Sequence, residues 1–273
     1  MRPAEVVTVV TVAHESAAVL PAFLARLAPS LPVVVVDSGS ADWEESARVA
    51  GTAGARFLAV VQNVGYGTAS NRGAAGCATP WVAFVNPDVD VDANALVALC
   101  ETAGRHGFAC VAPRLAASRS GGRPGRVSAP VAAATLPGAC LVVRTDVFRS
   151  VGGFDERFFM FAEEDDLTGR IRATGGRTGR VDDLVAVTAG GGSSAGVGRR
   201  WAVAEREVGR CQLVLKRHGW AGFVLAATRS AVRVVRDPEM VPRRESARQV
   251  GNGLRRVVRL RGAATVREDV VLR

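Results

Sequence analysis

Four carboxylates stand in a row at Glu163, Glu164, Asp165 and Asp166, where helical spacing of apolar residues begins. The dipole of a helix N-terminus favours acidic side chains, and that alone accommodates such a run. Adjacent like charges also repel, and crowding raises the pKa of at least one of them, the property a general base needs. The apolar Phe158, Phe159, Met160 and Phe161 just before them predict a partly buried setting. A second acidic run spaces Asp88, Asp90 and Asp92 at alternate positions behind Asn86 and Pro87. In an extended segment such side chains share one face, and hard oxygen donors suit Mg2+ or Mn2+. Asp88 is the expected ligand and Asp90 the second candidate, while Asp92 is placed to cap the next helix.

Three more polar clusters close apolar runs: His14, Glu15 and Ser16; Asp37, Ser38, Gly39 and Ser40; and the stretch from Asn63 through Gly65, Gly67 and Asn71 to Gly73. Asp37 offers an acceptor for a base N–H or a ribose hydroxyl. The glycines of the third cluster let backbone approach a ligand, and the helix start behind them can face a phosphate. A Gly-Lys-Ser/Thr ending is absent, so this is no phosphate-binding P-loop. A dinucleotide fingerprint fails on spacing and on its place after the third strand. Ordinary turns use the same residue types. The argument rests instead on four strand ends delivering polar groups to one edge, where open α/β sheets bind ligands.

The elements that must position these groups alternate. Residues 6–13, 33–36, 56–61 and 81–85 are apolar, β-rich runs, separated by helical patterns at 17–27, 41–53 and 67–77. The fold class is therefore α/β, with a mostly parallel sheet covered by helices on both faces. Further on, the pattern predicts helices at 93–106, 146–151 and 163–173, the last stopped by Gly175 and Gly176. Strands are expected at 109–112, 139–143 and 185–187, loops at 118–126 and 190–198, and two or three basic helices at the end.

Taken in order, residues 7–16 with 33–42, 63–73, 84–88 and 138–176 resemble glycosyltransferase family 2, especially its rhamnosyltransferase-like bacterial branch. The last stretch holds Gly152, Gly153, Phe154, Asp155, Glu156 and Arg157, which is similar to the family's approach to its catalytic acid. The resemblance implies a GT-A fold over residues 1–198, with a nucleotide-binding half to about residue 92 and an acceptor-binding half beyond it. A basic helical region would occupy 199–273. It implies an inverting transfer from a nucleoside diphosphate sugar, first dTDP-rhamnose and next a UDP-sugar, to a hydroxyl of a cell-envelope or lipid-linked glycan. Asp37 would read the base, and Asn86 and Asp88 would fall at the diphosphate with Mn2+ or Mg2+. His14, Glu15, Ser38, Gly39, Asn63, Gly65, Gly67 and Asn71 would complete the donor pocket. Glu164 would be the base, where the family usually has aspartate, with Glu163 and Asp166 in the same acidic turn. Thr188 and Ala189 stand where the family often has a metal-supporting histidine, which implies weak or dispensable metal binding.

Composition bounds these readings. The 273 residues are 48% apolar, enough for one large domain with or without a tail. No apolar run is long enough to span a bilayer, and no signal-peptide layout opens the chain, so a cytoplasmic location is expected. Five widely spaced cysteines suit buried, reduced thiols. The net charge of +9 is concentrated: residues 199–273 hold 18 basic and 7 acidic side chains, against 17 and 19 before them. Leu254, Val257 and Val258 have helical spacing among Arg255, Arg256, Arg259 and Arg261. That pattern fits a helix lying on anionic lipid at the inner face of the plasma membrane, or one packed on the domain. A single tyrosine and a near-neutral body argue against nucleic acid. Ala13, His14, Glu15 and Ser16 replace the Gly-rich basic loop a nucleotidyltransferase would carry after its first strand. A degenerate sugar-nucleotide-binding module is the non-enzymatic alternative, and a homo-oligomer is left open.

Overall fold

The computed structural model describes residues 2–117, 127–188, 199–236, 251–255 and 270–271. The loops expected at 118–126 and 190–198 lie outside the described residues, as do Val257 and Val258. A short turn, α1 (Pro3–Val6), leads into β1 (Val7–Ala13). Then come α2 (Leu20–Leu27), β2 (Val33–Ser38), α3 (Trp43–Thr52), β3 (Arg56–Val60), α4 (Tyr66–Ala74) and β4 (Trp81–Val85). The valine runs of β1 and β2 are stiff at χ1 and suit a strand buried on both faces. Alternation along them divides the core. Val7, Val9, Val33 and Val35 face α2, α3 and α5 (Ala93–Arg105), packing with Phe23, Leu24 and Leu99. Val10, Val34 and Val36 face the other way, toward Ala69, Phe84, Phe148 and Phe154.

β1 pairs in parallel with β2 on one side and β4 on the other, and β2 pairs in parallel with β3. The chain therefore steps outward from β1 to β3 and returns across β1 to lay down β4. That reversal of strand order is the switch point where open sheets of this kind form their ligand crevice. The register sets Ala13 beside Asp37 and Asp37 beside Ala59, so the strand ends and their polar turns lie level.

The remainder adds β5 (Val89–Asp90), β6 (Phe108–Ala116), β7 (Val131–Ala132), β8 (Cys140–Arg144), α6 (Thr145–Ser150), α7 (Glu163–Ala173) and β9 (Arg177–Thr188). β8 runs antiparallel between β4 and β6, while β9 is parallel to β6 and antiparallel to β5 and β7. β10 (Val270–Val271) pairs antiparallel with β3 at the sheet's far edge. Most paired residues belong to parallel ladders, giving an α/β fold with helices on both faces.

The chain forms two compact units. The first holds the described residues up to Asp155, those from Glu164 to Thr188, and β10. The second joins Glu156–Glu163 to the described residues among 199–255. The division falls within the acidic run, between Glu163 and Glu164. In the second unit, α8 (Arg199–Arg236) is two helices meeting at Gly219, whose φ of 66° breaks the helical path. Val208, Cys211, Leu215 and Phe223 form its core, with Ala226, Ala227 and Leu254 packed against them. Leu254 is thereby engaged with protein, as in the packed-helix alternative for that stretch. All five cysteines are buried, unbridged thiols, and burial pushes Cys140 up to about 12. Among the described residues, no helix is long and apolar enough to cross a membrane.

Candidate active site

The loops after β1, β2 and β3 are laced into one surface. His14 Nδ1 lies 2.9 Å from the Ser38 carbonyl oxygen. A carbonyl only accepts, so Nδ1 is the donor in this bond. The Glu15 amide donates to Ser40 Oγ at 2.9 Å, and the Glu15 carboxylate accepts the Ala41 amide at 2.7 Å. Glu15 takes a left-handed φ of 51° to do so. Ser38 Oγ accepts the Val64 amide at 3.1 Å, and Asn63 Oδ1 accepts the Gly65 amide at 3.0 Å. Gly39 makes the approach of the β2 and β3 loops possible: a Cβ there would stand 2.4 Å from the Asn63 nitrogen, and φ is +70°.

Asp37, expected to meet a base directly, has no exposed surface. Its Oδ1 accepts the Ser40 amide at 2.9 Å. Burial holds its carboxyl above the usual range, with the Ser40 bonds pulling the other way. Its geometric effect is to shape the Ser38–Ser40 turn from beneath. Gly65 caps α4 with φ 85°, and Gly67 is buried in the first turn of that helix.

The turn after β4 is anchored by the Asn86 amide, which donates to the Ala139 carbonyl at 2.9 Å. Asp88 is half-buried in this turn. Asp90, on β5, sits 3.3 Å from Arg26 Nε of α2, and Arg26 also donates to the Val89 carbonyl. Arg26 is thus a counter-charge for Asp90. Asp92 caps α5 through the Ala95 amide at 2.8 Å, as its spacing predicts. Thr188 is the β9 partner of Val89, adjacent in register to Asp88. No three His, Cys, Asp or Glu side chains gather as a metal cage among the described residues. The donor set fits an ion held by one protein carboxylate together with oxygens of a bound diphosphate, the habit of Mg2+-like ions.

The acidic turn divides by environment. Phe161 and Ala162, with φ of 66° and 70°, are successive non-glycine residues in left-handed conformation just before α7. Strain of this kind is retained where surrounding structure holds it, often at functional positions. Glu163 is buried and falls with the second unit. Asp166 is buried and ion-paired to Arg170 Nε at 2.8 Å, and Arg170 in turn donates to the Val151 carbonyl. A carboxylate held in this way braces α7. Glu164 remains half-buried, and its carboxyl lies over Gly138: a Cβ there would stand 3.2 Å from Glu164 Cδ. Tyr66 Oη donates to the Gly138 carbonyl at 3.3 Å. Because Ala139 receives the Asn86 amide, the base candidate and the Asp88 turn meet on the two-residue junction Gly138–Ala139.

Asn71, expected in the donor pocket, is used otherwise. Its Nδ2 donates to the Phe154 carbonyl at 2.9 Å and its Oδ1 accepts the Phe154 amide at 2.8 Å. That two-bond staple ties α4 to the segment leading to the acidic turn. Phe154 is anchored further by Phe84, Phe148 and Tyr66 rings with centroids 4.9, 5.6 and 6.1 Å away. Gly138, Tyr66, Arg26 and Arg170 were not among the residues singled out from sequence: no spacing marks the first three, which act through tertiary contact, whereas Arg170 stands at helical i+4 spacing from Asp166.

Residues 8–152 match the family described as Glycosyl transferase family 2, and the chain belongs to that family. It is a glycosyltransferase with a GT-A fold. It is 30% identical over 220 residues to the N-acetylglucosaminyl-diphospho-decaprenol L-rhamnosyltransferase of Mycobacterium tuberculosis, covering 63% of this chain and 72% of the relative. The pre-mycofactocin glycosyltransferase of the same organism is 33% identical over 175 residues, 56% of this chain and 37% of its own. Among solved structures, the mannosyltransferase PcManGT from Pyrobaculum calidifontis, in complex with GDP-Man and Mn2+, superposes with a TM-score of 0.63 at 18% identity. That match covers 97% of this chain and 78% of PcManGT. S. aureus TarS 1-349 in complex with UDP-GlcNAc gives 0.59 at 16%, covering 93% and 81%.

Proposed function

We propose that this glycosyltransferase moves rhamnose from dTDP-rhamnose, with inversion, to a hydroxyl of a lipid-linked or cell-envelope glycan at the cytoplasmic face of the membrane. The observation that carries the mechanism is the junction of Glu164 and the Asp88 turn on Gly138–Ala139. The transferred sugar and the acceptor class are supported by the mycobacterial relative, whose name gives L-rhamnose and a lipid diphosphate acceptor.

The acceptor oxygen attacks the anomeric carbon as its proton passes to the Glu164 carboxylate. The bond to the nucleoside diphosphate breaks on the opposite side, so one displacement inverts the configuration. His14, Ser38 and Asn63 hold the nucleotide edge, with Asp37 shaping it from below. The start of α4 offers its dipole to the departing phosphates. A divalent ion at Asp88, when bound, neutralises charge on the diphosphate. Rigid lacing of the loops contributes by holding donor and acceptor in line.

A UDP-sugar is the second donor reading, favoured by the UDP-GlcNAc bound to TarS. A thermal-shift panel of UDP, dTDP, GDP and their sugars, each with and without Mn2+, separates the readings. Selective stabilisation by dTDP-rhamnose is the expected result. Selective stabilisation by a UDP-sugar replaces the donor, and no shift with any of them contradicts the donor pocket at His14, Ser38 and Asn63.

A further inference from the structure

The second helix of α8 is apolar on two opposite sides. One side is fixed inward: Phe223 and Ser230 are buried, Ala226 and Ala227 pack on the unit's core, and Ser230 Oγ donates to Glu207 Oε2 at 2.6 Å. Glu207 also pairs with Arg210 and Arg233, which pins the two helices in one rotation. The other side points outward and carries Trp220, Val224, Leu225 and Val232, exposed by 47, 61, 52 and 43%. Ala221 and Thr228 fill the positions between them and are exposed too. The Thr228 hydroxyl is spent on the Val224 carbonyl at 2.9 Å, so its methyl group is what faces out. Of the six large apolar side chains exposed among the described residues, four lie on this one face. Clustering of that kind marks an interaction surface.

Charge selects the occupant. Residues 199–236 hold nine basic and two acidic side chains, and from Trp220 to Arg236 there is none acidic. Exposed Arg217 and Arg229 flank the apolar strip. A second copy would set arginine against arginine across the contact. Lipid phosphates complement it, and a tryptophan at the edge of an apolar face is suited to the level of lipid headgroups.

We propose that this helix lies in the surface of an anionic bilayer, with Trp220, Val224, Leu225 and Val232 entering the headgroup–acyl boundary and the arginines on lipid phosphates. Its purpose rests on the reading of a membrane-borne acceptor, but lipid binding is measured with no donor present, so the two fail separately. The surface is distinct from the Leu254 stretch, where Leu254 is packed on protein.

The test is flotation of the full chain with vesicles of phosphatidylglycerol and phosphatidylcholine, against phosphatidylcholine alone, for wild type and Val224→Asp/Leu225→Asp. The wild type floats with the anionic vesicles. The double variant loses at least about tenfold of the bound fraction with an unchanged melting temperature. Emission assigned to Trp220, as the difference between wild type and Trp220→Phe, shifts to shorter wavelength on adding anionic vesicles. Equal flotation of the variant, absence of flotation by the wild type, or a dimer that the double variant dissociates each overturns the proposal.

Discussion

Replacing Gly138 by alanine perturbs the site with a single methyl group. That Cβ would lie 3.2 Å from Glu164 Cδ and 3.4 Å from Oε1, closer than ordinary van der Waals contact. The carboxyl end of Glu164 is flexible, so it yields by a few tenths of an ångström while the fold stays intact. Added chain stiffness offsets the strain, and the net change in stability is within about 1 kcal/mol. Catalysis is less forgiving. A displacement of about 1 Å can cost about a hundredfold when a reacting group loses its line, so a fraction of that costs about tenfold. This corresponds to about 1.4 kcal/mol of barrier. Steady-state transfer should show kcat reduced by that factor and donor KM unchanged. In Glu164→Asp the shorter side chain leaves room for the methyl group, so adding Gly138→Ala should cost less than about twofold more. Wild-type turnover by Gly138→Ala would refute the placement of Glu164 as base. A full additional loss in the double variant would refute the steric argument.

Four other substitutions probe the site and its scaffold. Asn71→Ala removes both bonds to the Phe154 backbone and should lower stability by about 2 kcal/mol in chemical denaturation, since the amide and carbonyl it leaves are partly buried. Asp88→Asn should reduce turnover by about a hundredfold, whereas Asp90→Asn, which weakens a half-exposed pair with Arg26, should change stability by less than about 1 kcal/mol and leave turnover near wild type. Equal losses in both would restore Asp90 to the metal site. For Asp37, burial raises the folded-state pKa above its ordinary 3.8. A raised carboxyl favours the folded state below the unfolded pKa, and that contribution is lost as pH climbs through the folded value. Asp37→Asn cannot ionise. Its melting temperature relative to wild type should rise as pH goes from about 4 to about 7, and a pH-independent difference would remove burial as the cause.

The nucleotide-side sheet was legible because its signal is local. Val7–Ala13 and Val33–Ser38 are β-branched runs, and their polar ends mark the crevice edge without any knowledge of pairing. β9 was foreseen only at 185–187, because its first half carries Arg177, Arg180, Asp182 and Asp183, whose charges hide a strand that alternates inward and outward. β5, β7 and β10, two residues each, have no period to detect. At the site, residue type announced chemistry but not availability. Asp90 looks like a free carboxylate in the sequence, and only a tertiary contact with α2 supplies Arg26 as its partner, whereas Asp166 has Arg170 four residues on along its own helix, a spacing the sequence carries. Asn71 looked like a ligand contact because it sits in a Gly-rich stretch, yet its amide matches the backbone of Phe154, 83 residues away. Gly138 was silent because its contribution is the space it leaves.

The central claim is that Glu164 deprotonates the acceptor in a single inverting displacement. The direct measurement is transfer from dTDP-rhamnose to a lipid-diphosphate N-acetylglucosamine acceptor, with anomeric configuration read by NMR, for wild type and Glu164→Gln. The wild type should give an inverted linkage. Turnover should be at least about a hundredfold lower in the variant, with nucleotide binding retained. Retained configuration, or normal turnover by Glu164→Gln, would contradict it.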